Sequence, residues 1–183
     1  MISFITATDW TIRALELVAV LFIVITFSQH RLALFFGGKQ NLKSKSDHLL
    51  HSSFIAAFTV MVFHAVSSSL ADHIITLEME KMMLRQFFYF TMFSCSIVFV
   101  VTLFALHALR RCTFSPAARV CLYLAIIQAL VQLTQFVMRG MLDNSSLSPA
   151  YKISVVTLNV ISLAVISIYP IKKLITTKNE EVA

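Results

Sequence analysis

Five stretches of this sequence stay apolar for about 20 residues each, the length a helix needs to cross a hydrocarbon core roughly 30 Å thick. They run near Ile12 to His30, Leu49 to Ala71, Phe87 to Leu109, Ala118 to Met138 and Ile153 to Pro170. Lipid offers no partner to an unpaired backbone N–H or C=O, so a spanning segment must be a helix or part of a closed barrel. A barrel strand alternates polar and apolar residues over about ten positions. Runs such as Leu17 to Thr26 and Ile97 to Leu106 do not alternate. The expectation is an all-α, polytopic integral membrane bundle with five transmembrane helices, a single domain over residues 1–183.

Composition excludes the alternatives. The chain is 58% hydrophobic and 13% charged, against roughly 45–50% and about 25% in soluble domains. Three Gly and three Pro exclude a collagen-like fibre or a linker-rich chain. The first 30 residues lack a basic leader and a small-residue cleavage site, so the first span is expected to be retained rather than cleaved. Asp9 and Glu16 argue against an organellar transit peptide. This compactness points to a bacterial inner membrane. Cys95, Cys112 and Cys121 are odd in number and form no zinc or disulfide pattern.

The net charge of +6 follows threading. Arg31, Lys39, Lys43 and Lys45 follow span one, and Arg110, Arg111 and Arg119 bracket the link between spans three and four. Lys172, Lys173 and Lys178 follow span five. All of these lie on one side, with Asp9, Asp72, Glu78, Glu80 and Asp143 on the other. The positive-inside rule then gives an outward N-terminus and a cytoplasmic C-terminus. The basic excess is a topology signal with weak attraction to anionic lipid, and nucleic acid is not expected as a partner. Gly37 to Asp47 is a basic cytoplasmic loop whose Gly37–Gly38 pair ends the first helix. The outer segment Asp72 to Arg85 mixes Ile, Leu and Met with charges, as a short interfacial helix does.

Candidate chemistry lies in the polar residues that the spans retain. On span four, Cys121, Gln128, Gln132, Gln135 and Arg139 fall within an arc of about 60° at 100° per residue. Such a stripe either glues helices through amide hydrogen bonds or lines a polar route. Glu16 sits within an apolar helix, and an intramembrane ionisable group marks a functional site by default. Its candidate partners are Arg13, Arg139 and His64. A pair with either arginine would pin helix packing, and a pair with His64 would make a proton relay. His64 shares its helix face with Ser53, Ala57 and Ser68. Weaker polar faces carry Thr91, Cys95 and Thr102 on span three and Asn159 with Ser162 on span five.

Six histidines raise the question of haem b. His51 with His107, or His30 with His107, are the pairs from different helices that could face each other as axial ligands. Asp47-His48-x-x-His51 has the spacing of a metal-binding turn, but also of an ordinary solvated helix start. Phosphate loops, G-x-S-x-G elbows and H-E-x-x-H motifs do not occur, and no span as drawn holds two carboxylates. The expectation is a non-enzymatic protein with a buried polar site of Glu16, His64, Gln128, Gln132, Gln135 and Arg139. It would move protons, ions or a small solute, as a homo-oligomer or with a membrane-protein partner. The alternative is an accessory, assembly or immunity-type subunit that docks another membrane protein. A haem-binding redox subunit comes third.

Overall fold

The computed structural model describes the backbone of residues 2–27, 31–36 and 42–182, and the side chains of residues 6–27, 34–36 and 42–175. The described residues form α1 (Ile2–Thr26), α2 (Arg31–Phe36), α3 (Lys45–Ile74), α4 (Lys81–Arg110), α5 (Pro116–Gln135) and α6 (Ser148–Val182). A π-helix, Phe136–Met141, continues α5. No strand occurs among the described residues.

Among the described residues, four helices are long and apolar enough to cross a membrane: α3, α4, α5 with its π continuation, and α6 to Ile175. The chain is therefore a helical membrane bundle. Every 18-residue window of α1 contains Asp9, Arg13 and Glu16, which keeps this helix out of that set. The outward faces carry side chains suited to lipid, such as Val101, Phe104 and Leu109. α3 is the central helix, with 39% of its apolar window buried against 11% for α6.

The helices start and stop for local reasons. At α3, Ser44 accepts from the Asp47 backbone N–H at 3.1 Å while Asp47 accepts from that of Ser44 at 2.9 Å. This reciprocal box satisfies two of the donors a helix start leaves open. At α5, Ser115 caps Ala118 N–H at 3.2 Å, and Pro116 fits the first turn, where its missing donor costs nothing. α4 ends on Arg111 in the left-handed region, φ 54°, which turns the chain sharply toward α5.

Several boundaries differ from those the sequence implies. α1 begins at Ile2 rather than Ile12 and ends at Thr26, so Asp9 belongs to the same helix as Glu16. The residues before the Gly pair form the separate short helix α2. No interfacial helix forms between Asp72 and Arg85: α3 and α4 absorb both flanks, leaving the turn and bend of residues 75–80. α6 continues through Pro170 to Val182. Proline removes one backbone hydrogen bond there, which a membrane helix accommodates against its neighbours. His30 and residues 37–41 of the Gly37–Asp47 loop lie outside the described residues.

Packing divides the bundle along its axis. Near one end, Asp9 of α1 meets Ser68 of α3, Arg85 of α4 pairs with Asp143, and Tyr89 packs edge-on against Tyr151. Near the other, Arg110 bonds the carbonyls of Leu34 and Phe35 in α2, and Phe27 stacks on Tyr169. The apolar core occupies this second half. Val20, Ile23, Leu34, Phe54, Leu103, Ala118 and Ile166 are among its buried members.

Candidate functional site

The buried stripe of α1 runs Ile12, Glu16, Ala19, Val20 and Ile23, spaced three and four residues apart as a helix packed along one face requires. Asp9 lies two turns before Glu16 on that stripe. From α3, the His64 ring enters between the two carboxylates. Nδ1 lies 3.0 Å from both Glu16 oxygens, and Nε2 lies 2.9 Å from Asp9 Oδ1. Ser68, one turn further on α3, donates to the same Asp9 oxygen at 3.2 Å. Arg13 holds the other Asp9 oxygen through Nε at 2.7 Å and also through Nη2, with its guanidinium 4.8 Å from the Trp10 ring centroid. Asn159 of α6 brings its amide within 3.4 Å of Nε2.

These contacts leave one proton free to move. A carboxylate only accepts, so two carboxylates around one ring fit an imidazolium that donates from both nitrogens. The same distances fit a neutral ring that accepts from a protonated Glu16 and donates to Asp9. The two arrangements share the same heavy-atom positions. In both forms Nε2 carries a proton and donates to Asp9, with the Asn159 amide beside it.

The cluster forms one wall of a cavity of about 240 Å³ between the five long helices. Polar lining comes from Asp9, Glu16 and His64, from Ser96 of α4, from Gln128 and Gln132 of α5, and from Tyr151, Asn159 and Ser162 of α6. Each of α3 to α6 contributes over an eleven-residue interval: Val60 to Ala71, Phe88 to Phe99, Cys121 to Gln132 and Tyr151 to Ser162. At about 1.5 Å per residue this is roughly 16 Å, half the hydrocarbon thickness. Val60, Phe99 and Cys121 line the cavity and belong to the apolar core, so the cavity floor is the top of that core. Beneath it, Ile23, Leu103 and Ala118 are fully buried.

Of the six residues singled out from sequence, Glu16, His64, Gln128 and Gln132 line this cavity, while Gln135 and Arg139 do not. Gln132 accepts from Ser96 at 3.3 Å. Gln135 is buried, and its Oε1 has no partner among the described residues. The α5 lining stops at Gln132, and Arg139 lies about two turns further along, in the π-helix. It lies instead 3.4 Å from the Tyr89 hydroxyl. The expected arginine pairing of Glu16 is likewise not formed: Arg13 faces Asp9, and Glu16 faces His64. Asp9 is the main residue that sequence reasoning left out. A first span drawn from Ile12 placed it outside the membrane, although its seven-residue separation from Glu16 was a usable signal.

Two carboxylates on α1 do not make a hydrolytic dyad, because the imidazole separates them. Nor do the three groups converge on one point, and no set of three or more His, Cys, Asp or Glu able to hold a metal occurs among the described residues. At the opposite end, His107 is committed to protein. Its Nδ1 donates to the Leu103 carbonyl at 2.8 Å and its Nε2 accepts from Ser52 at 2.9 Å. Ser52 in turn accepts from Ser115 N–H at 2.7 Å, and Phe114 stacks on the ring at 4.0 Å between centroids. With both nitrogens bonded and one face covered, His107 does not fit an axial haem position, which removes the shared member of both proposed pairs. His48 caps the α4–α5 link by accepting from Thr113 N–H at 3.3 Å. His51 is buried in α3, and His30 lies outside the described residues.

Comparison with known proteins found no matching family model, no matching curated protein and no matching solved structure. Fold and site together define a helical membrane bundle with an ionisable cluster on the wall of a partly open, largely apolar cavity.

Proposed function

We propose that the chain is a non-enzymatic, multi-pass protein of the bacterial inner membrane in which the movement of protons is coupled to that of a small solute. In this reading α1 is a fifth crossing helix, the N-terminus faces outward and the C-terminus is cytoplasmic. The observation that carries the reading is His64 held between Asp9 and Glu16 on the wall of the cavity. An imidazole is the side chain best suited to take up and release a proton, and ionisable groups inside a membrane are retained where protons or ions pass.

The shape of the bundle supports a carrier rather than an open pore. The cavity occupies one half of the molecule, and close-packed apolar side chains fill the other. Passage therefore requires the helices to rearrange, and α6, the least buried span, touches the proton-bearing ring through Asn159. The cavity is bounded by helices of a single chain, so this reading does not depend on an oligomer.

The test is proton movement in sealed proteoliposomes loaded with propylammonium chloride, read with an internal pH dye against protein-free vesicles loaded alike. Wild type is expected to take up protons faster than empty vesicles. Glu16→Gln and His64→Ala are expected to lose that excess while eluting as folded, monodisperse protein. Wild type equal to empty vesicles, or variants equal to wild type, would contradict the reading.

A further inference from the structure

We propose that the cavity binds a small organic cation, a primary ammonium, in exchange for the proton on His64. The proposal rests on the proton-linked reading above and names the solute class.

Charge decides the class. Neither lysine nor arginine lines the cavity; its fixed charges are the carboxylates of Asp9 and Glu16. Arg13 lies behind Asp9 and offsets one of them. With His64 protonated the cluster sums to zero: two carboxylates, one guanidinium and one imidazolium. When the ring releases its proton, one negative charge is left in a site of low dielectric, and a monovalent cation restores neutrality where an anion would worsen the imbalance. The other titratable side chains lining the cavity are Cys95 of α4, Cys121 of α5 and Tyr151 of α6, all uncharged in their protonated forms.

Hydrogen-bond capacity agrees. Glu16 is 1% exposed, and both its oxygens share a single imidazole nitrogen, which leaves lone pairs for an ammonium. The carbonyl oxygen of Gln128 is buried without a partner among the described residues, and it belongs to the cavity lining. An N–H donor from a ligand would satisfy it. Gln132, 6% exposed, offers a second carbonyl that takes just one 3.3 Å bond. Phe63 and Phe99, edge to face at 5.5 Å, add ring surfaces on which a cation is stabilised. The volume of about 240 Å³ accommodates a short amine.

Exchange of one cation for one proton has a defined signature. Isothermal titration of the purified chain in lipid nanodiscs with propylammonium chloride is expected to show affinity rising about tenfold per pH unit while His64 holds its proton. Runs in buffers of different ionisation heat should give one proton released per cation bound. Glu16→Gln should lose binding, and His64→Gln should bind with little pH dependence. Propanol, the neutral analogue, should not bind. Equal binding of propanol, or affinity indifferent to pH in wild type, overturns the exchange. If propylammonium fails to bind at every pH while nitrogen NMR shows the His64 ring gaining and losing a proton, the solute class is wrong and the proton site stands. If the ring also holds one protonation state throughout, both readings fall.

Discussion

At the scale of single residues, stability and function draw on the same cluster. Glu16 is fully buried and His64 nearly so, and removing one member of a buried ion pair strands the other, at a cost of about 3–5 kcal/mol. His64→Ala, which leaves Glu16 without its ring partner, is therefore expected to destabilise more than Glu16→Gln, which removes the buried charge itself. The double variant should recover part of the loss, as a double-mutant cycle of unfolding in mild detergent would read; strict additivity would mean that the two side chains are not coupled. A second expectation concerns Cys112, in the link between α4 and α5. Burial pushes its thiol above the ordinary range, with Arg110 pulling weakly the other way. Since the thiolate is the reacting form, maleimide labelling of Cys112 in a variant lacking the other two cysteines should be slow at neutral pH, speed up as pH rises, and become fast on unfolding.

At the scale of elements, α3, α4 and α5 are joined through one hydroxyl. Ser52→Ala would leave both the Ser115 N–H and the His107 ring nitrogen without their buried partner, and each such group costs about 1–3 kcal/mol. Thermal unfolding should show this loss, and Ser53→Ala on the same helix should not, because the Ser53 hydroxyl has no partner among the described residues. The π-helix gives a graded test. A Cβ at Gly140 would meet Gln86 Cγ at 3.4 Å, ordinary contact, so Gly140→Ala should change stability by less than about 1 kcal/mol. Gly140→Leu should cost about 1–3 kcal/mol by forcing α4 from α5. The length and apolarity of α3 to α6 were legible as hydropathy, because lipid imposes both. Their ends were not. Asp9 and Arg13 close an ion pair one helical turn apart that lets α1 begin before its apolar stretch, and Pro170 does not stop a helix whose neighbours hold it.

At the scale of the whole molecule, the polar site was half legible. Helical periodicity placed Gln128 and Gln132 on one face, and the expense of a buried carboxyl singled out Glu16. Periodicity could not reveal that the cavity ends before Gln135 and Arg139, nor that α1 and α3 pack so that one imidazole serves two carboxylates. In the proposed reading the resulting asymmetry, a cavity over a packed apolar half, fits a carrier better than a channel. It also fixes an expectation for threading: a cysteine at Ser145 should react with an impermeant reagent added outside intact cells, and one at Lys43 should not. The central claim is that His64 is the proton-bearing group of the cavity. Nitrogen NMR of the His64 ring in lipid bilayers tests it most directly, followed across the pH range in which the chain stays folded, in wild type, Asp9→Asn and Glu16→Gln. The account expects one ring proton to be gained and lost in wild type, with the midpoint moved in both variants. A ring that holds a single protonation state throughout, or a midpoint indifferent to both carboxylates, would contradict it.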